Sequence, residues 1–237
     1  MILFCGDPHG HFGHIIKAVR EHQPAAVILL GDLQAQRPLE VELAPILNQT
    51  EIWYIHGNHD TDSEAEHDHL FDSPLANRNL HGRVVEIAGQ RIAGLGGVFR
   101  GKVWSPPAPA IFESPQKYLA RCGKGNFWRG GLPLSHRSTI FPVDYARLMA
   151  QRADILVTHE APSAHPHGFA AIDALARRLG VGKTFHGHHH DQLDYSAERF
   201  RLGFDAFGVD FRGILDQDGH TRTENVIWKS LFKTSPQ

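Results

Sequence analysis

The 237-residue chain is long enough to bury a full hydrophobic core, either as one large α/β domain or as two small ones. Its 41% hydrophobic and 21% charged residues are those of a globular protein, and no apolar run approaches the roughly 20 residues that span a bilayer. With 24 basic against 26 acidic residues (24 − 26 = −2), avid gripping of duplex phosphates is not expected, and 18 histidines are the main compositional departure.

Met1 opens directly on strand-like sequence with no leader peptide in view, and Cys5 and Cys122 form no CxxC pair. A reducing, cytoplasmic setting is the expectation, with Cys5 a small buried hydrophobe. "ILFC" reads as a strand ending in the polar loop "GDPHGH", and the next segment puts Phe12, Ile15, Ile16 and Val19 on one helical face. "AAVILL" reads as a strand buried on both faces and ends in "GD". "PLEVELAPILN" is a helix that Pro45 shortens or kinks, and "EIWYI" is a third strand ending in "HGNHD". "DSEAEHDH", with His67 and His69, reads as an exposed helix start. "RVVEIAGQRIAGLGG" is a hairpin turning at Gly89 and Gln90.

Residues 97 to about 142 are rich in Gly, Pro and aromatic residues, and read as a loop excursion or lid around one helix, "SPQKYLARC". Arg100, Arg129 and Arg137 within it suit either phosphate recognition or surface solubility. Alternation then resumes. "DYARLMAQR" is helical, "ADILVT" is a strand ending in "HEAP", "AAIDALARRLG" is a helix closed by Gly180, and "KTF" leads into "HGHHHD". "QLDYS", "RFRLGF" and "FRGILDQDGHTRTENVIW" read as antiparallel strands, with Asp218-Gly219 as a turn signal. No repeat or linker divides the chain, so residues 1–237 are expected to form a single domain.

Five strands thus end in Asp7–His9, Asp32, Asn58–His59–Asp60, His159 and His188–His190. Ligands of open α/β sheets bind outside the carboxyl ends of parallel strands, where these loops would converge. Their oxygen and nitrogen donors suit Zn, Mn or Fe better than a structural zinc knot. His188 and His190, two apart in strand-like sequence, would share a face while His189 points away; His186 shares their parity. His11 could approach the site. His14 is expected on the helix surface, and His165 and His167 in a solvated loop.

Asp7-Pro8-His9, Gly31-Asp32, Gly57-Asn58-His59-Asp60, Thr158-His159 and Gly187-His188-His189-His190 follow one another as D-x-H, G-D, G-N-H-[DE], H and G-H-x-H. In this the chain resembles the calcineurin-like metallophosphoesterases over residues 7 to 190. The resemblance implies an α/β fold of two facing mixed β-sheets flanked by helices, a four-layer α/β/β/α sandwich, with two divalent metal ions (Mn, Zn or Fe) at the loop edge. Asp7, His9, Asp32 and His190 would hold one ion and Asp32, Asn58, His159 and His188 the other, with Asp32 bridging. It implies hydrolysis of a phosphorylated small-molecule substrate, a phosphomonoester or phosphodiester, by in-line attack of a hydroxide bridging the metals. His59 is the implied general acid. Two divalent cations set against the carboxylates of Asp7 and Asp32 leave a net positive centre that suits an anionic phosphate.

One position departs from the family pattern. Many members read G-D-x-x-D, with the second Asp orienting the catalytic histidine; here "GDLQAQ" places Ala35 there, leaving Asp60 and Glu160 as candidate substitutes. A protein phosphatase or a nuclease on the same scaffold is an alternative, as is a catalytically silent interaction scaffold of the retromer kind. The latter loses the histidine equivalent to His59, which this chain keeps.

Overall fold

The computed structural model describes residues 1–222. In chain order they form β1 (Ile2–Cys5), α1 (Gly13–His22), β2 (Ala26–Leu30), α2 (Leu39–Glu42), β3 (Glu51–Ile55), α3 (Glu64–Phe71), β4 (Arg83–Ile87) and β5 (Gln90–Leu95). There follow α4 (Pro115–Leu119), α5 (Pro142–Met149), β6 (Ile155–Thr158), α6 (Ala170–Leu179), β7 (Lys183–His186), α7 (Arg199–Leu202), β8 (Asp205–Gly208) and β9 (Ile214–Asp216). One sheet has the order β3-β2-β1-β9 and the other β4-β5-β6-β7-β8. The pairings are parallel except β9 on β1 and β4 on β5.

The two-residue period of the strands sorts their side chains into three cores. Ile2, Phe4, Ile28, Leu30 and Ile55 of the first sheet meet Ile92, Ile155, Val157 and Phe185 of the second in a central layer. The Phe4 and Phe185 rings stack there at 3.8 Å. The alternate residues Leu3, Cys5, Val27, Leu29 and Tyr54 pack outward against Phe12, Ile15, Ala18 and Val19. On the far side, Ala93, Leu95 and Leu156 pack against Ile172, Leu175, Ala176 and Leu179 of α6. The result is the expected four-layer sandwich. Among the described residues, no helix is long and apolar enough to cross a membrane.

Several local expectations change. The β4–β5 hairpin turns at Ala88 and Gly89, both at positive φ (48° and 77°), one residue earlier than the sequence suggests. "PLEVELAPILN" does break at Pro45, into α2 and a 3-10 turn over Ala44–Ile46. "QLDYS" forms no strand, and "RFRL" is a helical turn rather than an antiparallel strand. Gly203 ends that turn in the left-handed conformation (φ 85°) and sends β8 back parallel to β7. The alternation in "RFRLGF" misled because Phe200 is fully exposed, not core. The Asp-Gly turn is present, with Gly219 N donating to Asp216 O and β9 antiparallel to β1. The rest of that proposed strand, from residue 223, lies outside the described residues.

Phe185→Ala removes a fully buried ring from the inter-sheet layer and is expected to cost about 3–5 kcal/mol in denaturant unfolding. Phe200→Ser, on an exposed ring, is expected to change stability by less than about 0.5 kcal/mol.

Candidate metal centre

The polar loops follow the carboxyl ends of β1, β2, β3, β6 and β7, at the edge where both sheets finish. They can crowd together only because glycines line the approach. A Cβ on Gly57 would lie 2.2 Å from Asp32 Oδ1 and 2.7 Å from His159 Cε1. Gly31 has φ +97°, and a Cβ there would fall 2.5 Å from His159 Nδ1. Gly187 is similarly confined, with Asp7 Oδ1 at 2.9 Å from the position of a Cβ. Asp7, His9, Asp32, His188 and His190 themselves have positive φ, between 34° and 75°. Such backbone costs of order 1–3 kcal/mol per residue and persists only where the surroundings enforce it.

The structure brings the sequence-selected donors together in two groups. One ligand atom each from Asp7, His9, Asp32 and His190 lie within 4.8 Å of one another, and so do those of Asp32, His159 and His188. Asp32 belongs to both. Asn58 joins the second group, its Oδ1 standing 3.2 Å from His159 Nε2. His188 and His190 converge by a different route from the one the sequence suggests. β7 ends at His186, and left-handed backbone at His188 (φ 75°) and His190 (φ 56°), not strand parity, turns their rings inward.

The remaining hydrogen bonds engage the Nδ1 atoms of two of the imidazoles and turn their Nε2 atoms inward. His159 Nδ1 lies 2.8 Å from the Leu30 carbonyl, which as an acceptor places the proton on Nδ1 and turns Nε2 toward Asp32 Oδ1 at 3.4 Å. His9 Nδ1 is 2.5 Å from Gln34 Oε1, and Gln34 is itself held by Glu66. That leaves His9 Nε2 facing His190 Nε2 at 3.0 Å. Outer hydrogen bonds of this kind fix the tautomer and aim of ligating histidines. The set of hard carboxylate and amide oxygens with borderline imidazoles fits divalent transition ions.

The charged groups at the centre depend on one another. Asp7 and Asp32 are buried side by side. Burial and the neighbouring Asp32 push the Asp7 carboxyl up to about 8, against the pull of His159. For Asp32 burial works in the same upward direction, but His159 outweighs it and holds that carboxyl below its usual range. His159 would lose its proton through burial alone; Asp32 and Asp7 raise it to about 10. The three groups thus set one another's protonation, opposite charge offsetting the cost of burial.

His59 sits at the rim. Its backbone N–H donates to Asp32 Oδ1 at 2.9 Å, and its ring lies 5.8 Å from that of His9. Neither candidate substitute for the missing Asp reaches it. Asp60 is buried and accepts from Gln34 N and Gly57 N, tying two of the loops together. Glu160 accepts from Phe99 N. Ala35 is packed in the core beside Leu33 and Leu39. The partner of the ring is instead Asp62, whose Oδ2 lies 2.6 Å from His59 Nδ1.

Other residues move between categories. His165 is buried, not solvated: its ring stacks on His189 at 3.8 Å and its Nε2 lies 3.2 Å from Asp191. His67 is buried against Phe71 and Trp128, and His14 Nε2 is buried although its helix face is partly open. His186 is buried with Tyr195 and lies outside both donor groups. Arg129 is engaged by Asp68 and Glu64 and pins the excursion to α3. Arg137 lies over the Trp128 ring. Gln34 and Phe211, which packs 5.4 Å from His9 and 5.0 Å from His190, escaped the sequence reading because no motif marks either.

Comparison with known proteins bears on the family and the fold. The family profile described as calcineurin-like phosphoesterase matches residues 1–192. A protein of Haemophilus influenzae described only as uncharacterized is 46% identical over 226 residues, covering 95% of this chain and 98% of that one. A crystal structure from Thermus thermophilus superposes with a TM-score of 0.62 at 16% identity, over 94% of this chain and 97% of its own. At that identity it speaks to the fold alone.

Gly57→Ala is expected to lower Tm by about 3–10 °C in thermal unfolding, the consequence of roughly 1–3 kcal/mol of overpacking in a chain of this size. Gly13→Ala, where nothing lies within 4 Å of the added carbon, should leave Tm unchanged or raise it slightly.

Proposed function

The chain belongs to the calcineurin-like phosphoesterase family of metal-dependent phosphoester hydrolases, and from that premise we propose that it hydrolyses a small phosphomonoester or phosphodiester at a dinuclear metal centre. The observation that carries the reading is the membership of Asp32 in both compact donor groups. In this reading Asp7, His9, Asp32 and His190 hold one divalent ion, and Asp32, Asn58, His159 and His188 hold the other. Such a pair, when bound, supplies the positive charge that clamps a phosphate and lowers the pKa of the attacking water.

The chain's own groups do the rest. Gln34 and the Leu30 carbonyl keep the Nδ1 protons of His9 and His159 in place, so that the Nε2 atoms stay available. His188 N–H donates to both oxygens of Asp7, holding that carboxylate in the seam. His59, fixed through its backbone to Asp32, presents its ring at the open rim, where a leaving-group oxygen would depart. As the general acid it hands that oxygen a proton, a contribution of about 10²–10⁴-fold. The 97–142 excursion meets this rim at Ser138, whose Oγ lies 2.7 Å from Thr61 Oγ1, and so borders the side from which the leaving group exits.

Protein purified without chelator is expected to carry close to two transition-metal ions per chain by elemental analysis, and Asp32→Asn to lose both. Screening phosphate mono- and diesters against metal-free protein supplemented with Mn, Zn or Fe should restore turnover. Activity that persists after thorough metal removal overturns the reading. His59→Ala is expected to lower kcat by about 10²–10⁴-fold on esters with poor leaving groups while metal content stays the same.

A further inference from the structure

We infer that Asp62 is the positioning residue for His59, replacing in this chain the acidic residue whose usual place Ala35 occupies. The inference rests on the proposed acid role of His59 and deepens it. Asp62 follows His59 by three residues across the 3-10 turn His59–Thr61, and its backbone N–H donates back to His59 O at 3.3 Å. This turn sets the two side chains on one side, where Asp62 Oδ2 meets His59 Nδ1 at 2.6 Å. The turn is anchored although the pair is open to solvent. Thr61 is buried, its Oγ1 bonds to Ser138 Oγ at 2.7 Å, and Arg100 Nη2 donates to that same Ser138 oxygen at 3.3 Å. Ala35 faces the core packed around α1, so a carboxylate there would be buried among apolar side chains. Position 35 lies in an apolar core, whereas position 62 has a built geometry toward the His59 ring.

A carboxylate on Nδ1 does two things to an imidazole. It fixes the ring's rotation, and it selects the Nδ1-protonated tautomer that aims Nε2 outward. In the step concerned, a water oxygen, releasing one proton to solvent, bonds to phosphorus and the ester P–O bond breaks. The departing oxygen keeps the bonding electron pair and takes the Nε2 proton of His59, which the ring then recovers from solvent. Asp62 acts only through the His59 ring and touches neither substrate nor the proposed metal ligands.

The test compares Asp62→Asn, Asp62→Glu, His59→Ala and the Asp62→Asn/His59→Ala double variant in the full-length chain, using phenyl phosphate and p-nitrophenyl phosphate with Mn added. Asp62→Asn should lower kcat on the phenyl ester by about 10- to 100-fold, the scale on which outer orienting partners act. KM should stay within about twofold, and the p-nitrophenyl ester, whose leaving group needs little protonation, should be nearly unaffected. In the His59→Ala background the same change should do nothing further, and Asp62→Glu should recover part of the loss. Independently of turnover, nitrogen-15 NMR of the metal-free protein, at a pH where the ring is neutral, should show His59 protonated on Nδ1, and Asp62→Asn should abolish that preference. A normal loss in His59→Ala beside an unaffected Asp62→Asn overturns the role of Asp62 alone, as does an additive double variant or an unchanged tautomer. An undiminished kcat in His59→Ala removes the acid reading, and this inference with it.

Discussion

Two carboxylates and an imidazole, Asp7, Asp32 and His159, are packed against one another out of contact with water. This is the constraint on which the rest of the molecule turns. Charges so placed are tolerable only when opposite charge and hydrogen bonds surround them on every side. The surroundings comply: backbone N–H groups of His59 and His188 point at the carboxylates, and the Leu30 carbonyl faces the imidazole. The glycines at 31, 57 and 187 follow from the same demand, since any side chain there would push these groups apart. So does the accumulation of left-handed backbone at the donor residues, where strain is maintained by a rigid sandwich beneath.

The sandwich in turn explains why residues more than 180 positions apart can be neighbours: His9 and His190 share one donor group. Parallel strands deliver their carboxyl ends to a common edge, and two sheets stacked through a continuous aromatic and aliphatic layer present two such edges together. Neither sheet alone supplies the arrangement. The first contributes Asp7, His9, Asp32 and Asn58, and the second contributes His159, His188 and His190.

Much of this was legible in the residues. Runs such as "AAVILL" and "ADILVT" mark strands buried on both faces, and the polar dipeptides that end them mark the loops where chemistry accumulates. What escaped was of three kinds. Strand direction near the C-terminal end depended on the single left-handed residue Gly203, and the alternation of "RFRLGF" carries no information about it. The inward turn of His188 and His190 came from backbone dihedrals, which an identical side-chain pattern on a true strand would not reveal. Partners such as Gln34 and Asp62 are ordinary polar residues whose role appears only when the loop that bears them has a shape. Asp62 had one local signal, its spacing of three from His59, which places two side chains on one side of a helical turn. His165 and His67 show the opposite error, since polar neighbours in sequence suggested solvent where aromatic stacking supplied burial.

The division of donors between the two sheets has a mechanical consequence. A cation bound across that seam would be a bolt through two leaves whose central layer is apolar and whose loops already meet through the bonds of Leu30 to His159 and of His188 to Asp7. Its binding free energy is then also cohesion between the leaves, because separating them requires releasing it. Conversely, any slip of one leaf along the other by an ångström changes the distances within both donor groups at once, so the hydrophobic layer remote from the chemistry sets the bore into which the bolt must fit.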